Sequence, residues 1–349
     1  MENGMRSASM KCGMLENIQA ARALAALAVV AYHMKALPVG QYGVDIFFVI
    51  SGFIMSYIAP KEGLAFFRKR VIRIVPVYWL STIGVYLVAI FRPYWLNTTT
   101  ASGIYLVKSL FFIPYIQENG HWGPLNLNGW TLECEMLFYL TISATLLLVR
   151  HRYATTLAGA GLAAVCLLLP FFNCPQIFFH MFRPIIIEFC FGILCFWIFE
   201  MEVIRSLPAW IWAITSMLSI ISIPFIYGVC GVVDSSARVV AYGIPSFIFV
   251  ASLLGMECQG LTARSKLIGR LGASSYSIYL LHPYIIGVTR KIFHIQDGSS
   301  IYVDFVSLIG VSGIVCIIGY GFYFYIERPL LSRIVTVLAR GRISPVASS

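Results

Sequence analysis

Four side chains could carry acid–base chemistry from inside otherwise apolar segments: His33, Asp45, Glu135 and His282. An imidazole can take a proton from an alcohol near neutral pH, and a carboxylate beside it can hold the ring in a productive tautomer. His33, Asp45 and Glu135 come from three separate segments and fall at a similar expected depth, so the sequence predicts one layer in which a carboxylate orients His33. Asp45 could equally serve as a helix N-terminal residue satisfying backbone donors. His282 could be a packed histidine or a catalytic one, and the sequence leaves both open.

A second set is cationic: Arg22, Arg70 and Arg73. Arg22 precedes His33 by eleven positions, which in a helix returns His33 to within about 20° of the same face and roughly 16 Å further along the axis. The two cannot touch, so they suggest a path for something long and partly charged. Arg70 and Arg73 share a helix face beside Lys69. That cluster reads as a topology signal or, with Arg22 at the same level, as a phosphate site, because guanidinium forks bind phosphate in a bidentate manner.

The elements that must hold these groups are membrane helices. The chain has 349 residues, 59% of them hydrophobic and only 11% charged, with mean hydropathy +0.82, which excludes an ordinary soluble domain. The net charge of +10 sits in short basic loops and is read as orientation rather than as affinity for nucleic acid. Nine scattered cysteines with no C-x-x-C pair argue against a metal site or a disulfide framework, although Cys174 and Cys230 would both lie in outer loops and could pair.

The expected fold class is all-α, a polytopic bundle of about ten transmembrane helices near residues 18–37, 43–59, 74–91, 130–149, 153–172, 184–199, 208–227, 239–256, 273–288 and 303–325. Residues 103–116 are short for a span and carry Lys108, and their first part predicts a re-entrant or interfacial helix. Most of the 25 lysines and arginines then fall on one side, which puts the basic loop 61–73 and both termini in the cytoplasm. No cleavage-site pattern precedes the first apolar run, so it is kept as a span. The whole chain, 1–349, is expected to be one membrane domain, with a cytoplasmic segment at 1–15 and a cytoplasmic tail at 327–349. A glycosylation sequon at Asn97-Thr98-Thr99 would lie outside.

At these residues the sequence resembles the membrane acyltransferase-3 family, in particular bacterial exopolysaccharide O-acetyltransferases of the succinoglycan type. The matching segments are Arg22-x10-His33, the run from Gly43 to Phe53, Arg70-x-x-Arg73 followed by Ile-Val-Pro76, the run from Trp130 to Tyr139, the run from Ser274 to His282, and Glu327-Arg-Pro329. They occur in family order across almost the entire chain. Glu133 departs from the family pattern, but two positions from Glu135 it should face another side of its helix.

The resemblance implies acetyl-CoA, or another acyl-CoA, as donor substrate from the cytoplasm, with no permanently bound cofactor. It implies a sugar hydroxyl of a polysaccharide or lipid-linked oligosaccharide as acceptor at the outer face. Carried over by position, His33 is the catalytic histidine, Glu135 its acidic partner, and Arg22, Arg70 and Arg73 are the donor-side cations; the residue reading adds Asp45 as a further catalytic candidate. The expected setting is a bacterial inner membrane, with membrane lipids and polysaccharide assembly machinery as partners and no nucleic acid. The chain ends soon after the tenth span, so no appended hydrolase-like domain is expected. The rival reading is a transporter or flippase for an anionic glycolipid, using the same buried charges as a translocation path.

Overall fold

The computed structural model describes residues 15–96, 100–118, 120, 122–149, 151–201, 203–231, 235–294 and 301–340. The N-terminal segment up to residue 14, the sequon at Asn97-Thr98-Thr99, Arg150 and the end of the tail from residue 341 lie outside them. The first eight α-helices are α1 (Glu16–His33), α2 (Tyr42–Glu62), α3 (Phe66–Phe91), α4 (Gly103–Leu110), α5 (Gly129–Leu148), α6 (His151–Leu168), α7 (Gln176–Met181) and α8 (Ile187–Glu200). The remainder are α9 (Val203–Ser206), α10 (Ala209–Cys230), α11 (Ser235–Arg238), α12 (Ile244–Cys258), α13 (Lys266–Ala273), α14 (Ser275–Ile292), α15 (Ile301–Phe322) and α16 (Arg328–Arg340). Among the described residues there is no strand beyond one isolated antiparallel bridge, Ile116 to Trp122.

Among the described residues, seven helical stretches are long and apolar enough to cross a membrane, and one of them, Tyr42–Phe91, contains both α2 and α3. The expected count of about ten is not reached by this measure. Both α1 and α14 are long enough at 18 residues, but they carry the polar groups of interest, which lowers their mean hydropathy below that of a lipid-facing span. The eight residues of α4 cover about 12 Å, far short of a hydrocarbon core of ~30 Å. Large apolar side chains such as Leu148, Phe171, Phe225 and Ile317 are exposed around the bundle, as a lipid-facing surface requires.

Several boundaries differ from expectation. Residues 61–73 are helical rather than a loop: only a short 3-10 turn at Gly63–Ala65 separates α2 from α3, so Arg70 and Arg73 lie within the first turns of α3. The last helix also continues, through a π-helical turn at Tyr323–Glu327, into α16, where a tail was expected. Cys174 and Cys230 are both free.

Helix α1 packs against α2, α12, α13, α14 and α15. Its alanines Ala21, Ala25, Ala26 and Ala28 are buried and small enough to admit neighbouring backbones. A Cβ at Gly43 of α2 would stand 2.2 Å from the carbonyl oxygen of Ala25, so only glycine permits this approach. Gly52 and Gly192 do the same for α2 against α8, where added Cβ atoms would stand 2.2 and 2.1 Å from the carbonyl oxygens of Phe189 and Val49.

The axial position of α1 is set at its start. The Glu257 carboxylate at the end of α12 accepts from the backbone N–H groups of Glu16 at 2.8 Å and Asn17 at 2.9 Å, satisfying two of the orphan donors at a helix N-terminus. Asn17 itself bonds Leu253, Leu261 and Ala263. Arg22, five residues after Asn17, and His33, eleven further on, inherit that placement.

Candidate active site

The arginine end of α1 faces a cavity of about 520 Å³ between α1, α2, α3, α5 and α14. Arg22, Arg70, Arg73 and Glu135 all line it, as do Phe47, Phe48, Phe53 and Ile54 of α2. Arg22 donates through Nε to the Ser275 hydroxyl at 3.1 Å, which leaves the two terminal nitrogens of its fork directed elsewhere. Arg70 donates through Nη2 to both oxygens of Glu62 at 3.1 Å, and Lys69 stands 3.4 Å from the same carboxylate. Arg73 is exposed and has no ion pair among the described residues. The Tyr139 hydroxyl, one turn beyond Glu135 on the same face of α5, donates to Glu135 at 3.1 Å. A cavity with three guanidinium groups at one end and aromatic and aliphatic walls beyond them suits a ligand with a phosphorylated head and a thinner apolar arm.

The other end of α1 carries a pair of histidines. His33, the last residue of α1, is exposed, while His282 of α14 is fully buried behind it. Nε2 of His282 lies 3.2 Å from Nδ1 of His33, and the two rings meet edge to face with centroids 4.7 Å apart. Nδ1 of His33 is also 3.0 Å from the Val29 carbonyl. Tyr279 links the regions: it lines the cavity, donates or accepts at the Thr131 hydroxyl at 3.1 Å, and its ring lies 5.9 Å from that of His282.

The layer of His33, Asp45 and Glu135 expected from the sequence is not built. Glu135 lies in the cavity with Arg22, Arg70 and Arg73 rather than beside His33, whose hydrogen-bond neighbours are Val29 and His282. Asp45 is fully buried and held by Arg238, with Nε to Oδ1 at 2.9 Å and Nη2 to Oδ2 at 2.6 Å, while the same guanidinium bonds the side chain and carbonyl of Gln41. That bidentate fork joins α2 to α11. The reason for the difference is geometric: depth counted from expected span ends ignores which face each residue presents, and α2 and α5 turn these carboxylates toward different neighbours.

Glu133 faces away from the cavity. Its carboxylate is 3.4 Å from His180 Nε2 and 4.0 Å from Arg183, whose guanidinium lies 4.9 Å from the Trp130 ring centre. Two positions along a helix turn a side chain by about 200°, which separates Glu133 from Glu135. Sequence reasoning left the role of His282 open and did not weigh Arg238, Tyr139 or Ser275. For Tyr139 the signal was its spacing of four from Glu135; for His282 it was the proline that follows it.

The family model described as an acyltransferase domain matches residues 15–324. The exopolysaccharide production protein ExoZ of Rhizobium meliloti is 33% identical over 304 residues, covering 84% of this chain and 90% of its own. The acyltransferase MdmB of Streptomyces mycarofaciens is 28% identical over 71% of this chain and 68% of its own. The O-acetyltransferase OatA of Staphylococcus aureus is 28% identical over 40% of this chain and 26% of its own. No solved structure matches. With its ordered arginine-to-histidine first helix and a match over nearly its whole length, the chain belongs to the acyltransferase-3 family as a multi-pass membrane acyltransferase.

Proposed function

We propose that this enzyme is an O-acyltransferase of a bacterial inner membrane, with both termini cytoplasmic. It moves an acetyl or other short acyl group from cytoplasmic acyl-CoA to a sugar hydroxyl of an exopolysaccharide or lipid-linked glycan at the outer face. The observation that carries this reading is the division of α1: cations around a cavity at one end, an exposed imidazole at the other. Arg22, Arg70 and Arg73 hold the phosphates of the donor, and its pantetheine arm runs along the apolar wall of α2 toward Tyr279. Glu135, fixed by Tyr139, lines the same cavity and sets a negative charge facing the Arg22 and Arg73 guanidinium groups.

At the far end, the acceptor hydroxyl loses its proton to the unprotonated ring nitrogen of His33 as its oxygen bonds to the thioester carbonyl carbon. Collapse of the tetrahedral intermediate breaks the carbon–sulfur bond, and the departing CoA thiolate takes the proton from the imidazolium. The products are the O-acyl sugar and free CoA. Acyl transfer through an acyl-histidine uses the same nitrogen, and trapping labelled acyl on His33 without acceptor would mark that route. The names of ExoZ and OatA, an exopolysaccharide production protein and an O-acetyltransferase, support the acceptor class and the reaction.

The test is transfer of labelled acetyl from acetyl-CoA to polymer by the purified protein in lipid vesicles. The unmodified protein should transfer and a His33→Ala variant should not. Full transfer by His33→Ala would remove the catalytic assignment, and polymer crossing vesicles without acylation would favour a transporter.

A further inference from the structure

Pro283 sits inside α14, four residues after Tyr279. Proline has no backbone N–H, so the Tyr279 carbonyl loses the helical partner it would otherwise have. Within a membrane such a freed acceptor must be satisfied by the protein itself. Two side chains do so: Asn128 donates through Nδ2 at 2.5 Å, and Nδ1 of His282 lies at 2.8 Å.

A carbonyl oxygen only accepts, so the hydrogen in the second bond belongs to Nδ1 of His282. A neutral imidazole carries one ring hydrogen, which leaves Nε2 of His282 with a lone pair. That lone pair faces Nδ1 of His33 at 3.2 Å, and among the described residues the same nitrogen also lies 3.0 Å from the Val29 carbonyl. Both neighbours are acceptors and make the same demand, a hydrogen on Nδ1 of His33. The second ring nitrogen, Nε2, is then the one with a free lone pair, on the ring edge turned away from α14 and from the carbonyl of its own helix.

We propose that His282, anchored by the carbonyl that Pro283 leaves free, is a positioning residue that locks His33 with its hydrogen on Nδ1, so that Nε2 is the atom that meets the substrate. This deepens the reading of His33 as the reacting group and rests on it. The Asn128 bond to the same carbonyl ties the start of α5 to α14, so the relay runs from Asn128 through Tyr279 and His282 to His33.

The experiment is nitrogen-15 NMR of ring-labelled histidines in the full-length protein in lipid nanodiscs, with resonances assigned through His33→Gln and His282→Gln, alongside transfer kinetics. The unmodified protein should show His33 protonated on Nδ1 and bare at Nε2. With only the Val29 carbonyl left to ask for that hydrogen, His282→Leu should weaken the preference and lower kcat on the order of 10²-fold, leaving the KM for acetyl-CoA unchanged. His282→Gln should recover most of the lost kcat, because its amide can donate to Tyr279 and accept from His33. A purely packing role predicts that Leu matches or exceeds Gln. A hydrogen on Nε2 of His33 in the unmodified protein, or full kcat in His282→Leu, overturns the assignment. These failures are distinct from that of the underlying reading, which falls only if His33→Ala retains transfer.

Discussion

The two ends of α1 are built from different materials. At the arginine end, long side chains are steadied by other side chains: Arg22 by the Ser275 hydroxyl, Arg70 by the Glu62 carboxylate. At the histidine end, short rigid rings are steadied by main-chain carbonyls, those of Val29 and Tyr279. Guanidinium groups on flexible stems can follow a phosphate over several ångströms, whereas a reacting nitrogen has to be placed within fractions of one. On the proposed reading, binding and chemistry are separated by the length of one helix, roughly 16 Å between Arg22 and His33.

This contrast can be broken by measurement. The largest expected effect is at the histidine end: His33→Ala should lower transfer by roughly 10²- to 10⁴-fold while binding of acetyl-CoA, followed by calorimetry, persists. Next, Asp45→Ala should cost about 3–5 kcal/mol of stability, because it leaves Arg238 largely buried without its carboxylate. Transfer per folded molecule should persist; if activity vanished in protein that melts normally, Asp45 would belong to the chemistry after all.

At the arginine end, Arg73→Ala removes one charge-assisted contact to phosphate, about 1.5–3 kcal/mol, and should raise the KM for acetyl-CoA by roughly 10- to 150-fold with kcat preserved. A fall in kcat instead would mean that the two ends do not divide the work. The smallest effect is expected for Glu135→Gln, whose loss of the negative charge shared with Arg22 and Arg73 in the cavity should change the donor KM by no more than about fivefold, equivalent to ~1 kcal/mol. An equal fall in kcat would return Glu135 to the side of His33.

Much of the arrangement was legible in the chain. Apolar runs announced the helices, and the spacing of Arg22 and His33 announced a shared face at two depths. Arg70 and Arg73, three apart, could be placed together because helical geometry is local. What the chain did not disclose were partnerships across helices. Asp45 looked like a companion of His33 and instead grips Arg238, 193 positions away. His282 meets His33 over a separation of 249 positions.

The sequence by itself therefore determined that this is a helical membrane protein, and that one helix carries a cation and an imidazole on one face, since hydropathy and helical period depend only on neighbours in the chain. Only the tertiary structure decided which of the buried polar groups meet. That outcome depends on helix rotation and on close approaches such as Gly43 to Ala25, and on where a proline leaves a carbonyl free to hold a distant ring.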